Sequence, residues 1–231
     1  MHVHIVYCHP SEDSLTAEIR DAFIRGLDDC GKTHTISDLY RQGFKTDISE
    51  SEYLRDAYYD NTLPLAADVL AEQRLINAAD ALVFIYPVFW TEAPAKLVGW
   101  FNRVWSFGFA YGCDGNLPNA ASAAGGEAGG GRGGREDGGA GAGRGGAPGV
   151  VPMKTLDKVL VIACAGNTLE VLAEQGRLQS METVMLGDRI YDRAKHREFI
   201  LLGGTERSNV ERREAMREQH LQTAYRLAEE L

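Results

Sequence analysis

The chain of 231 residues has no apolar run close to the roughly 18–20 residues that cross a bilayer, and its opening Met1-His2-Val3-His4-Ile5 lacks a basic segment ahead of an apolar one. The expectation is a cytoplasmic protein without membrane insertion. Positive charge is also scarce: 24 Lys and Arg face 33 Asp and Glu, a formal net charge of −9, whereas nucleic acid is held by clusters of Lys and Arg. Nucleic acid is not an expected partner. The four cysteines, Cys8, Cys30, Cys113 and Cys164, form no C-x-x-C pair, which removes the usual signature of a zinc or thioredoxin-like site and predicts reduced thiols. G-x-x-x-x-G-K-[ST] and G-x-G-x-x-G are absent too, so nucleotide hydrolysis and a Rossmann dinucleotide site lose their usual support. What is present, 44% hydrophobic and 25% charged residues, is ordinary for one full folded domain.

One stretch departs from the rest. Gly125 to Gly149 holds 14 of the 26 glycines and no aromatic or β-branched residue. With so little apolar surface to offset the entropy of ordering, it predicts a disordered, flexible insertion at about 119–152, between two halves of a single domain spanning 1–231. Arg132, Arg135 and Arg144 amid glycines imitate an RNA-binding tract, but Glu127, Glu136 and Asp137 balance them and no aromatics interleave.

Elsewhere hydrophobic periodicity alternates between the two regular structures. Val3 to Tyr7 predicts a first strand, and Leu15, Ile19, Phe23 and Leu27, spaced by four, a helix. His34 to Leu39 suits a second strand. Ala81 to Tyr86, apolar throughout, fits a strand buried on both faces of a parallel sheet. Pro94 at a first helical position opens a helix through Leu97, Phe101 and Val104. Val159 to Ala163 and Phe199 to Leu202 supply strands four and five, with Leu169 to Leu172 and Met181 to Leu186 helical between them. Ser208-Asn209-Val210-Glu211 reads as a capping box before a last helix. Glu50 to Asp60, around Tyr53, Leu54, Tyr58 and Tyr59, reads as a solvated connection, and the charged Glu206 to Glu218 as a solvated face. Such alternation implies an α/β fold, a parallel sheet covered by helices on both sides.

Ligands of open α/β sheets bind outside the carboxyl ends of the strands, which directs attention to three turns. Cys8-His9-Pro10-Ser11 through Ser14-Leu15-Thr16 is polar and feeds a helix amino terminus suited to a phosphate. Pro87-Val88-Phe89-Trp90-Thr91 sets two aromatics on a loop between prolines, a place for a flat ligand. Cys164-Ala165-Gly166-Asn167-Thr168 offers close backbone approach at glycine and two small polar side chains. Together they suit a phosphate-bearing planar heterocycle. His2 and His4 share one strand face at a metal-chelating spacing but lack a nearby third ligand, so no metal site is expected.

At these positions the chain resembles the NAD(P)H:quinone oxidoreductase family of flavodoxin-like flavoproteins. The resemblance rests on His9-Pro10 with Ser14-Leu15-Thr16, Asp38-Leu39-Tyr40 with Phe44, Glu72-Gln73, Ala79-Asp80, Tyr86-Pro87-x-x-Trp90 with Pro94-Ala95, Gly99-Trp100-Phe101 with Arg103, and Gly108-Phe109-Ala110-Tyr111. It covers about 1–112 closely and the remainder more loosely, through Cys164-Ala165-Gly166-Asn167, Gln175-Gly176 and Leu201-Leu202-Gly203-Gly204. It implies a flavodoxin-like doubly wound five-stranded sheet of order 2-1-3-4-5, a flavin (FAD, with FMN as the alternative), NAD(P)H as reductant, a quinone-type acceptor, ping-pong two-electron transfer through flavin N5, and a homodimer. By residue, it sets His9, Ser14, Leu15 and Thr16 at the flavin phosphates and Gln73 at the ribityl or phosphate end. Pro87, Val88, Phe89, Trp90 and Thr91 line the isoalloxazine with side chains and backbone N–H groups, while Gly166 and Asn167 close over its pyrimidine edge. Trp90, Thr91 and Asn167 stand nearest the chemistry. The chain departs from better-known relatives in two ways: their Tyr and His after the fourth-strand turn are replaced by Asn167-Thr168-Leu169-Glu170-Val171-Leu172, and the glycine segment replaces a short hairpin. The same motifs occur in flavin-binding regulatory subunits of potassium efflux transporters, the alternative reading and a peripheral membrane partner. A one-electron carrier is disfavoured, because the Thr/Ser-rich phosphate loop of that class is missing.

Overall fold

A computed structural model describes residues 1–112, 151–206 and 208–231. The expected insertion lies, apart from Val151 and Pro152, outside the described residues. Five strands pair all in parallel in the order β2-β1-β3-β4-β5, with β1 at His2–Tyr7, β2 at Thr33–Asp38, β3 at Ala81–Pro87, β4 at Leu156–Cys164 and β5 at Ala194–Leu202. This is the flavodoxin-like order that the resemblance implies. Between the strands run α1 (Leu15–Asp29), α2 (Glu50–Ala57), α3 (Ala67–Ala78), α4 (Ala95–Val104), α5 (Leu169–Glu174), α6 (Arg177–Glu182) and a π-helix (Thr183–Ile190), and α7 (Val210–Glu229) follows the last.

Strand β3 shows why the sheet sits between two layers. All seven of its residues are buried, and the two-residue period sends Leu82, Phe84 and Tyr86 to one face and Ala81, Val83 and Ile85 to the other. The first set packs with Trp100, Phe101 and Val104 of α4 and with Ile76, Leu172 and Met181. The second meets Phe23 and Leu27 of α1 and Ala224 and Leu227 of α7. Strand β5 starts five residues earlier than its apolar core predicts because Ala194–Glu198 lies on the sheet edge, where one side of a polar strand stays wet.

Three local expectations change. Glu50 to Asp60 is not a solvated connection: Ser49 and Glu52 form a capping box, Ser49 N donating to Glu52 Oε2 at 2.8 Å and Glu52 N to Ser49 Oγ at 3.3 Å. The helix it opens buries Glu52 and Arg55. At α7 the cap is Asn209, which accepts from Arg212 N at 3.0 Å, so Glu211 falls one position short of completing a box with Ser208. Pro94 likewise precedes α4 as its cap, its carbonyl accepting from Leu97 and Val98.

Charge buried beneath α4 is fully bonded. Arg103 reaches Glu52 at 2.8 Å and Asp68 at 2.7 Å, and Glu72 accepts from Trp100 Nε1 at 2.9 Å, Ser37 Oγ at 2.8 Å and Gln42 Nε2 at 3.1 Å. Burial pushes the Glu72 carboxyl upward, but these donors and His4 outweigh it and hold it below the usual carboxylate range.

Candidate functional site

The parallel registers end level with one another: Tyr7 lies beside Ile85, and Pro87 beside Cys164. Chain leaving β1, β3 and β4 therefore emerges at one edge of the sheet, where it walls a cavity of about 600 Å³. His9, Ser14, Leu15, Thr16, Pro87, Val88, Phe89 and Gly166 all line it, eight positions drawn from the three turns.

The first turn is folded by its own side chains. Ser14 caps α1, accepting from Ala17 N at 3.1 Å while its hydroxyl donates to Ser11 O at 3.0 Å, and His9 Nδ1 sits 3.0 Å from Ser11 N. The positive end of the α1 dipole thus opens on the cavity, as an anion site requires. Thr16 is buried and hydrogen-bonded to the Cys164 thiol, which burial pushes up to about 12, so the floor of the cavity is neutral near pH 7.

The second turn carries the strongest local anomaly. Phe89 and Glu92 exchange both backbone hydrogen bonds, at 2.8 and 3.0 Å, closing a two-residue hairpin over Trp90 and Thr91. Both tip residues have positive φ, 54° and 68°, the geometry of a type I′ turn that favours Asn-Gly. A β-branched residue there is an outlier, and each such residue costs on the order of 1–3 kcal/mol unless its surroundings hold it. Trp90 is 100% exposed and repays none of this by packing within the described residues. The tip amides of Trp90 and Thr91 donate to no other described residue, whereas Val88 N is occupied by Cys164 O at 2.8 Å and Phe89 N by Glu92 O. The expectation of a row of backbone donors along this turn therefore narrows to two.

The third turn leaves room. A side chain at Gly166 would meet nothing nearer than the Glu206 backbone at 3.8 Å, so the fold itself does not require glycine there. Asn167 stands exposed beside it, its carbonyl accepting from Gly204 N at 2.9 Å. Trp90, Thr91 and Asn167 lie on the loops at this edge but outside the cavity lining.

Gln73 is the misplaced member of the set. Its amide donates to Val104 O and Ser106 Oγ, both at 3.0 Å, in the interior between α3 and the end of α4, because it shares the buried face of α3 with Val69, Glu72 and Ile76. It does not reach the mouth. The sequence reading in turn missed Arg213, Glu214 and Arg217, which line the cavity from α7, the helix whose charged start was expected to be only a solvated face. Arg217 Nε donates to Glu18 at 2.6 Å and Arg213 Nη2 to Glu214 at 3.2 Å. Opposite them, Arg20 holds the Glu12 carboxyl below its usual range. The one available signal was the i, i+4 spacing of Arg213 and Arg217, which puts both on one helical face.

His2 and His4 bond to Thr33 and Thr35, at 3.0 and 2.9 Å, and no group of three or more His, Cys, Asp or Glu suited to a metal occurs among the described residues.

Parallel order, three convergent turns and a helix amino terminus at the mouth define the class. A family model for the flavodoxin-like fold matches residues 1–135. Among solved structures, an NAD(P)H:quinone oxidoreductase from Methanothermobacter marburgensis is 34% identical, with a TM-score of 0.77 over 99% of this chain and 94% of that one. The chain belongs to the flavodoxin-like NAD(P)H:quinone oxidoreductase family. Curated relatives include the ribosyldihydronicotinamide dehydrogenase [quinone] of Rattus norvegicus, 31% identical over 126 residues, which cover 49% of this chain and 54% of the relative. A ribosyldihydronicotinamide dehydrogenase-like protein of Penicillium crustosum is 30% identical over 126 residues, 48% of this chain and 46% of that protein. The chain spans about half the length of the curated relatives it matches.

Proposed function

We propose that the protein is a flavin-dependent NAD(P)H dehydrogenase acting on a quinone-type acceptor by ping-pong two-electron transfer. The observation that carries this reading is the Phe89–Glu92 hairpin, which presents a fully exposed tryptophan and two unengaged amides beside the cavity. The residues suit a flavin: an aromatic wall at Trp90 and Phe89, an open approach at Gly166, and the α1 terminus with His9 and Ser14 for phosphate. When bound, the flavin supplies a centre that takes hydride at N5 from NAD(P)H and passes two electrons to the acceptor.

The protein's part is positioning and electrostatics. The amides of Trp90 and Thr91 are fixed dipoles able to meet negative charge on the isoalloxazine, and the hairpin holds them without reorganisation. Asn167 adds an amide side chain from the opposite loop, where the family's Tyr and His are missing. Thr16 stays on the floor, tied to Cys164.

FAD is the favoured flavin. Gln73 lends it no support, but the cavity continues past the α1 terminus to Arg213 and Arg217, where the second phosphate and adenosine of a dinucleotide would lie. The expected assembly is a homodimer. Purified protein should be yellow and should release FAD on denaturation. Anaerobic NADH or NADPH should bleach it, with turnover on a quinone. Well-folded protein that takes up neither FAD nor FMN sinks the reading.

A further inference from the structure

The strained hairpin is held from outside. Its last residue, Glu92, accepts at Oε1 from Arg189 Nη1 at 3.1 Å and from Ala93 N at 2.7 Å. Arg189 belongs to the π-helix, 97 residues further along the chain.

Each other part of Arg189 is also fixed. Its carbonyl accepts from the buried Trp105 Nε1 at 2.5 Å, its guanidinium lies 5.0 Å from the Phe101 ring centre, and Nη1 stands 3.3 Å from Met185 Sδ. Phe101 and Trp105 are packed core residues at the end of α4. The π-helical winding gives the segment its longer-range bonds, Tyr191 N donating to Leu186 O at 3.0 Å, and π-helical turns of this kind recur at functional sites. Arg189 is therefore a stiff strut between the aromatic core and the rim of the cavity.

We propose that Arg189, acting through Glu92, is the positioning residue that sets the Phe89–Glu92 hairpin and so fixes the face that Trp90 offers to a flavin. Arg189 is not one of the residues that line the cavity; it acts on the turn through one carboxylate. The inference builds on the flavin reading above, but the hairpin part of it is readable without any flavin.

The test uses full-length Glu92→Gln, Arg189→Met, the single reversals Glu92→Arg and Arg189→Glu, and the double reversal. In flavin-free protein, Trp90 is the exposed tryptophan, since Trp100 and Trp105 are buried, so acrylamide quenching and fluorescence anisotropy report on the hairpin tip. The expected result is lower anisotropy in each single variant and recovery in the double reversal. FAD titration should show a dissociation constant about three- to tenfold weaker for the single variants, returning to within about twofold in the double reversal. A change in the absorbance of bound flavin should accompany the loss, which a merely lower melting temperature would not produce. Anisotropy and affinity unchanged in Glu92→Gln and Arg189→Met overturn the proposal, as do single variants whose defect the double reversal does not repair. If wild-type protein takes no flavin, the flavin reading fails, and anisotropy alone decides for or against the strut.

Discussion

Replacing Trp90 separates what the fold requires at the hairpin tip from what a ligand requires. The side chain is fully exposed, so its removal forfeits no burial, and fold stability responds only through the backbone. At φ 54° a non-glycine residue pays a left-handed penalty of roughly 1–2 kcal/mol, which Trp90→Gly removes and Trp90→Ala keeps. Glycine also frees the unfolded chain, which costs about 0.4–1 kcal/mol relative to alanine. The balance predicts that flavin-free Trp90→Gly is more stable than Trp90→Ala by about 0.5–1 kcal/mol, roughly 1–4 °C at this chain length. Urea unfolding monitored by circular dichroism measures the difference. Flavin affinity should move the other way relative to wild type, falling about tenfold or more in both variants, because a lost aromatic stacking contact is worth roughly 1–3 kcal/mol. Two results refute the reasoning independently: flavin affinity unchanged in both variants removes the aromatic wall, and Trp90→Gly less stable than Trp90→Ala removes the strain argument.

Arg103→Met should destabilise the fold by about 3–5 kcal/mol in urea unfolding, since it strands the buried Glu52 carboxylate that the guanidinium holds at 2.8 Å. The carboxyls of Glu52 and Glu72 are depressed in the fold, so their contribution is complete above the unfolded value of about 4.3 and is lost as pH falls through their lower folded values. Acid titration should show unfolding free energy dropping below about pH 4, with a shallower slope in Glu72→Gln, which should also lose about 1–3 kcal/mol at pH 7. Replacing the 25 residues from Gly125 to Gly149 by a four-residue turn should hold or raise the melting temperature. The flanks are already stitched by Met153 N to Phe109 O at 2.9 Å, and roughly halving the loop between them favours the folded state by about 0.6 kcal/mol.

The fold was legible where the hydrophobic period and the tertiary environment agree. Ala81 to Tyr86 could hardly be anything but a doubly buried strand, and the seven-residue β3 covers it. The turns at the mouth were legible for a related reason, since parallel strands compel their following loops to share an edge. Gln73 was not, because a motif specifies residue types and not the phase of the helix that carries them; the pattern of α3 turns it inward beside Ile76. The helix at Glu50–Ala57 had a readable signal in Ser49-x-x-Glu52, obscured by charge density that promised solvent and instead supplied a buried partner for Arg103. Arg213 and Arg217 gave no apolar cue, and their place at the cavity depends on how α7 crosses α1, a tertiary fact.

The hairpin at Trp90-Thr91 was the least foreseeable element, and its illegibility has a physical meaning. Elsewhere local preference and fold point the same way: apolar runs where strands are buried, a serine cap where α1 begins, a capping box where α2 begins. At the tip they conflict, since neither tryptophan nor threonine favours positive φ, and no packing within the described residues compensates. A conflict of that kind persists only if the surroundings hold the turn or if the conformation serves a purpose outside it. The Arg189–Glu92 contact, anchored on Phe101 and Trp105, supplies the first condition. The second is met if a flat ligand covers Trp90, because the same turn that strains the backbone lifts the indole clear of the protein and leaves the two tip amides unengaged among the described residues. Strain and unengaged donors thus coincide at two adjacent residues, the first of them fully exposed, and a bound flavin would account for all three features at once.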